Sequence, residues 1–238
     1  AVALAGRIGA ARRAHGTIAS IASPAADVAA VTCRLDARWQ GHRPGQFAFV
    51  SFDAEEGAHP FTIASADRGD RRVTFQIKAL GDYTRGLAQR LRPGQAVHVE
   101  GPYGRFDLAR RNPDAQQIWI AGGIGITPFL AWLESLQTQP QQAPAADLHY
   151  CTRDRAGDAF VPRLAALCAA LPRLRLYVHS AQSGEFLTAA ALAAAGDDAR
   201  PADVWFCGPQ GLADSLRKGL QSAWRGRLRF HQEAFAMR

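Results

Sequence analysis

One run, QIWIAGGIGITPFLAWL (117–133), constrains the fold more than any other. It is apolar at both parities up to Ala121, as expected of a strand buried on both faces, and such strands belong to parallel sheets covered by helices. Gly122, Gly123 and Gly125 then fall directly between that strand and a helix, with Thr127 predicted as the helix cap and Pro128 in its first turn. Glycines let the backbone turn sharply and approach an anion closely, and a helix N-terminus attracts a pyrophosphate. A tight turn with no ligand uses the same residues, so the strand–loop–helix setting carries the reading.

Three more runs repeat the pattern: DLHYCTR, RLRLYVHS and DVWFCGP, alternating with helical stretches at about 127–137, 160–170, 187–195 and 210–223. Buried strands alternating with helices imply a doubly wound parallel α/β sheet. The first half reads differently. GTIASIAS, AAVTCRLD, QFAFVSF, PFTIASA, RVTFQIKAL and QAVHVEG are short runs punctuated by RPGQ (43–46), RGDR (68–71) and RPGQ (92–95). That spacing predicts an antiparallel six-stranded β-barrel, interrupted by one helix at about Tyr83 to Leu91. The chain divides into a barrel over 15–108 and an α/β domain over 116–238, with the polar ARRNPDAQ between them.

Of 238 residues, 28 are Lys or Arg and 21 are Asp or Glu, a formal charge of +7. Such a charge suits nucleic acid, anionic lipid or phosphorylated ligands, and no nucleic-acid signature accompanies it. The four cysteines at 33, 151, 168 and 207 form no C-x-x-C pair, which argues against zinc and iron–sulfur ligation; no metal is expected. Reduced thiols in a cytosolic setting are the plain reading. The opening AVALAG, followed by Arg7, Arg12 and Arg13, fits a remnant at the cytoplasmic end of a membrane helix, so 1–14 is expected to be a juxtamembrane stub.

Strands in open α/β sheets present ligands at their carboxyl ends. The second strand of the α/β domain ends in YCTRDR, with Arg153 and Arg155 where NAD-preferring sites carry an acid. A guanidinium suits the 2′-phosphate of NADPH, although solvated surface is the commoner fate of such arginines. The fourth strand ends in Cys207-Gly208-Pro209, expected near the nicotinamide, with Cys207 chosen for its position and not its thiol.

HPFTIAS (59–65), QIKALGDYTRGL (76–87), GPYG (101–104), AGGIGITP (121–128), CGP (207–209) and the EAF near the C-terminus follow one another in an order that resembles the ferredoxin–NADP reductase superfamily. They look most like the cytosolic dehydrogenase domain of its ferric reductase and NADPH oxidase branch. The resemblance implies an FAD-binding barrel followed by an NADPH-binding domain. His59, Pro60, Phe61 and Thr62 would meet the flavin, with Phe61 as stacking face and Thr62 as hydroxyl. Ile77 and Lys78 match the next flavin-contacting strand, and Tyr83 and Thr84 precede a helix expected to meet the pyrophosphate. The resemblance further implies that Phe235 lies on the flavin face and gives way to nicotinamide. Thr62 and Glu233 would support the reacting region, and Cys207 would border the transferred hydride. Electrons would pass singly to haem in a transmembrane domain of the same polypeptide, at the cytoplasmic face of the membrane. A freestanding flavin reductase and a noncatalytic basic module are the alternatives.

Overall fold

The computed structural model describes residues 12–25, 27–53, 57–79, 84 and 86–233. Packing divides the chain into two units between Arg105 and Phe106. This is a few residues before the polar stretch 109–116. The reason is Phe106, whose buried ring stacks on Trp132 at 4.9 Å and meets Trp205 edge-on at 5.3 Å, inside the second core.

The first unit is the expected barrel. Its strands are β1 (Arg13–Ala25), β2 (Val28–Leu35), β3 (Phe47–Ser51), β4 (His59–Thr62), β5 (Arg72–Lys78) and β6 (Ala96–Tyr103). They pair antiparallel in the order β4-β3-β6-β1-β2-β5. An Ile63–Phe75 bridge and a 2.8 Å bond from the Ala64 N–H to the Thr74 carbonyl join the two ends of that order and close the sheet. Closure removes the unpaired edges that an open sheet would leave. Alternation sends Val31, Cys33, Val50, Val73, Phe75 and Val99 inward, each at 0 % exposure. The predicted helix at Tyr83 is shorter: α1 spans Leu87–Arg90, begun by Gly86 at φ 74. Tyr83 lies outside the described residues.

The second unit is a five-stranded parallel sheet ordered β11-β10-β7-β8-β9. Its strands are β7 (Gln116–Gly122), β8 (Ala146–Thr152), β9 (Leu174–Ser180), β10 (Ala202–Cys207) and β11 (Leu228–Glu233). β7 and β10 are buried almost throughout, hence their continuous apolar sequence. Four helices connect the strands: α2 (Thr127–Leu136), α3 (Phe160–Ala169), α4 (Ala189–Ala195) and α5 (Gln210–Ala223). α5 buries Ala213, Leu216 and Leu220, one face at helical spacing, against Val204, Phe206 and Ile120. Trp119, Phe129, Trp132 and Trp205 form an aromatic core with ring centroids 5.1–6.3 Å apart. The chain reverses direction across the sheet between β7 and β10, and open α/β sheets bind ligands at such a switch point. Among the described residues, no helix is long and apolar enough to cross a membrane.

Candidate cofactor sites

In the barrel, β4 places His59, Pro60, Phe61 and Thr62 opposite Val50, Phe49, Ala48 and Phe47. Pro60 is exposed, which suits a residue with no N–H to offer, and Thr62 is buried. Phe61 is half-buried: Phe52 and Phe75 lie 6.3 Å away on its core side, and part of the ring stays uncovered. A backed aromatic with free surface is what stacking on a flat ring system requires. Ile77 is buried on β5, and beside it a cavity of about 130 Å³ is lined by Ile77, Thr84, Gly86 and Gln89. Ile77 and Thr84, both implied by the resemblance, line this one cavity. Lys78 instead forms an ion pair with Asp27 at 3.4 Å, and Asp27 lines the same cavity. Lys78 thus reaches the cavity rim already partnered.

In the second unit, the switch point is built from two interlocked loops. A Cβ on Gly125 would lie 2.1 Å from the Cys207 carbonyl oxygen and 2.8 Å from the Gly208 nitrogen. One on Gly122 would meet Pro209 Cδ at 2.6 Å, and one on Gly208 the Gly122 nitrogen at 2.9 Å. No side chain fits between these backbones. Gly123 differs: it has open space around it but sits at φ +54, the left-handed region. The two loops therefore pack backbone against backbone at the carboxyl ends of β7 and β10, and a glycine loop leading into a helix is the form in which main-chain N–H groups come near an anion.

Thr127 is not the cap that its sequence position suggests. It is the first helical residue, 4 % exposed, and its hydroxyl donates to the Ile124 carbonyl at 3.1 Å. Pro128 follows it in the first turn. A 3₁₀ turn over Gly123–Ile126 runs straight into α2, so the capping position falls to Ile126, which offers no side-chain bond. The Thr127 N–H donates to the Ile124 carbonyl, so the 3₁₀ turn rather than a side chain serves the start of the helix.

Cys207 and Glu233 are register partners on β10 and β11. Burial, with a smaller contribution from the Glu233 charge, pushes the Cys207 thiol up to about 12. It is a neutral thiol at physiological pH, consistent with a role through position. Burial also pushes the Glu233 carboxyl up to about 7. Phe235 lies outside the described residues.

The arginines after β8 divide their work. Arg155 donates to the Val178 carbonyl at 2.6 Å and pairs with Glu185. Arg153 is exposed with its guanidinium uncommitted, while its carbonyl accepts from the Gln182 N–H at 2.9 Å. Sequence reasoning missed Glu185, which stands 30 residues from the arginine it holds. It also missed Asp203, a fully buried carboxylate on β10 that accepts from Arg229 at 2.7 and 3.1 Å and from the Asn112 N–H at 2.6 Å.

Residues 14–107 match the family of FAD-binding domains. The match covers the barrel and ends within two residues of the division between the two units. Relatives extend the likeness through the second unit. An NADPH oxidoreductase of Mycobacterium tuberculosis is 29% identical over 204 residues, 82% of this chain and 53% of its own. A flavohemoprotein of Pseudomonas putida is 28% identical over 192 residues, 75% and 47% of the two chains. The ferredoxin reductase component of a 3-ketosteroid-9-alpha-monooxygenase from Rhodococcus rhodochrous is 28% identical over 200 residues, 82% and 56%. The chain thus spans about half the length of these curated relatives. Among solved structures, the cytochrome P450 reductase of Amycolatopsis superposes with a TM-score of 0.79 at 20% identity, covering 94% of this chain and 70% of that one. That likeness establishes the two-domain fold.

Proposed function

We propose that the chain is a reductase module that draws electrons from NADPH into FAD and hands them singly to a haem acceptor. The observation that carries this reading is the union, in one chain, of an FAD-binding domain with a doubly wound sheet whose switch point is walled by backbone alone. Bound FAD supplies the chemistry, accepting two electrons as hydride and releasing them one at a time. The chain binds and orients. Phe61 offers the stacking face, Thr62 the hydroxyl, and Ile77 and Thr84 the cavity for the rest of the cofactor. Gly122, Gly123, Gly125, Gly208 and Pro209 give NADPH its pyrophosphate groove, and Arg153 gives it a partner for the 2′-phosphate. Glu233, poised near neutrality, holds or releases a proton beside Cys207. Phe235 serves as the movable ring that yields to nicotinamide.

The haem acceptor is proposed to lie in a membrane domain of the same polypeptide, of the ferric reductase or NADPH oxidase kind, with this module at the cytoplasmic face. A relative that is a flavohemoprotein supports haem as the acceptor. A second reading, a reductase serving a separate carrier, is favoured by the ferredoxin reductase component among the relatives.

The test is anaerobic. The purified chain, reconstituted with FAD, should bleach on adding NADPH and bleach more slowly with NADH. Absence of bleaching with either nucleotide would sink the reductase reading, and a strong NADH preference would remove the role given to Arg153. In membranes holding the full-length protein, NADPH should then produce the reduced haem spectrum; reduction only of an added ferredoxin would select the second reading.

A further inference from the structure

Glu185 follows β9, yet its side chain turns back to the carboxyl ends of β8 and β9. Its own N–H donates to the Ser180 carbonyl at 3.0 Å, and its carboxylate accepts from the Ser180 N–H at 3.3 Å. The same carboxylate takes the guanidinium of Arg155, which also donates to Val178 on β9. Two residues away, Arg153 is fixed through its backbone by Gln182 and Ser180, while its side chain is free. Both arginines leave the strand end where a doubly wound sheet meets the 2′ position of an adenosine. One is available to a phosphate and the other is already neutralised.

We propose that Glu185 is a specificity-determining residue of the nucleotide site. It sequesters Arg155, leaves Arg153 as the one uncommitted guanidinium at this strand end, and so caps the preference for a 2′-phosphate over a 2′-hydroxyl. The proposal rests on the reading that the second unit binds NADPH. Released from Glu185, Arg155 would add a charge-assisted hydrogen bond to the phosphate, and the site would lose an anion that repels it.

The experiment uses the full chain and two probes that differ only at the 2′ position, 2′-phospho-AMP and AMP, with binding followed by calorimetry. Flavin reduction rates with NADPH and NADH are compared alongside. Glu185→Gln should tighten 2′-phospho-AMP about tenfold and leave AMP within about twofold, the range expected from one added charge-assisted bond. Arg155→Ala alone should change little, but in the Glu185→Gln background it should erase the gain. Glu185→Asp, which keeps the charge, should stay near the parent, and Glu185→Ala gives the same reading as the Gln variant should that variant fold poorly. An unchanged ratio in both uncharged variants overturns the proposal. So does a ratio raised by weaker AMP binding, since that makes Glu185 a ribose ligand. Arg153→Ala is the separate control: if it leaves 2′-phospho-AMP binding intact, the NADPH reading of this strand end fails, and the proposal with it.

Discussion

Glu233 titrates where few carboxylates do, and its burial has a thermodynamic consequence. Its folded value of about 7 exceeds the ordinary 4.5, so the folded state binds this proton more tightly than the unfolded chain. That contribution to stability is fully present below about pH 4.5 and is lost as pH rises through 7. Glu233→Gln does not titrate, so the parent's melting temperature should fall relative to the variant's between those limits; parallel curves would place the carboxyl in water. Gly125 tests the contact between the two loops directly. Gly125→Ala would drive a methyl into the Cys207 carbonyl, an overpacking that typically costs about 1–3 kcal/mol. A lowered melting temperature and a KM for NADPH raised at least severalfold are expected. Gly123→Ala, with space around it but a left-handed φ, should cost about 1–2 kcal/mol from the backbone alone. These glycines were legible because their neighbours in sequence, a buried strand and a Thr-Pro helix start, announce the loop. The exact job of Thr127 was not, because the 3₁₀ turn that displaces the cap depends on how Gly125 packs against β10.

At the scale of elements, β11 is held to the sheet by more than its ladder. Burial alone would raise the Asp203 carboxyl, but the Arg229 hydrogen bonds, the Asn112 N–H and the Arg229 charge outweigh it and hold the group below the usual carboxylate range. His231 lies flat on Trp205 at 3.9 Å in the same patch. Removing one partner of a buried pair costs about 3–5 kcal/mol, and the partial exposure of Arg229 puts Asp203→Asn near the lower figure. Chemical denaturation should show that loss, and a change below about 1 kcal/mol would mean that Arg229 finds water instead. Strand and helix positions were readable from hydrophobic period, since burial dictates it. Asp203, Glu185 and the Lys78–Asp27 pair were not, because each acts through a partner that only the assembled sheet or barrel brings near.

For the whole molecule, the formal charge of +7 sets how ionic strength acts on ligands. The Debye length is about 10 Å at 0.1 M salt, so added salt screens an exposed arginine such as Arg153. Affinity for 2′-phospho-AMP should therefore fall more steeply with salt than affinity for AMP, as titration at two ionic strengths would reveal; equal slopes would deny a charged contact at the 2′ position. The two-domain order was legible because the glycine loop and the six-run barrel announce themselves locally, whereas the break at Phe106 depends on aromatic rings contributed by helix α2 and by the distant strand β10. The interlocked loops also carry a timing. Gly125 emerges from the ribosome more than eighty residues before Cys207 and Gly208, the backbone it is shaped to touch. Throughout that interval of synthesis the first loop has no opposing wall, so the backbone contact at the switch point forms only when the fourth strand of the sheet threads in beside the first.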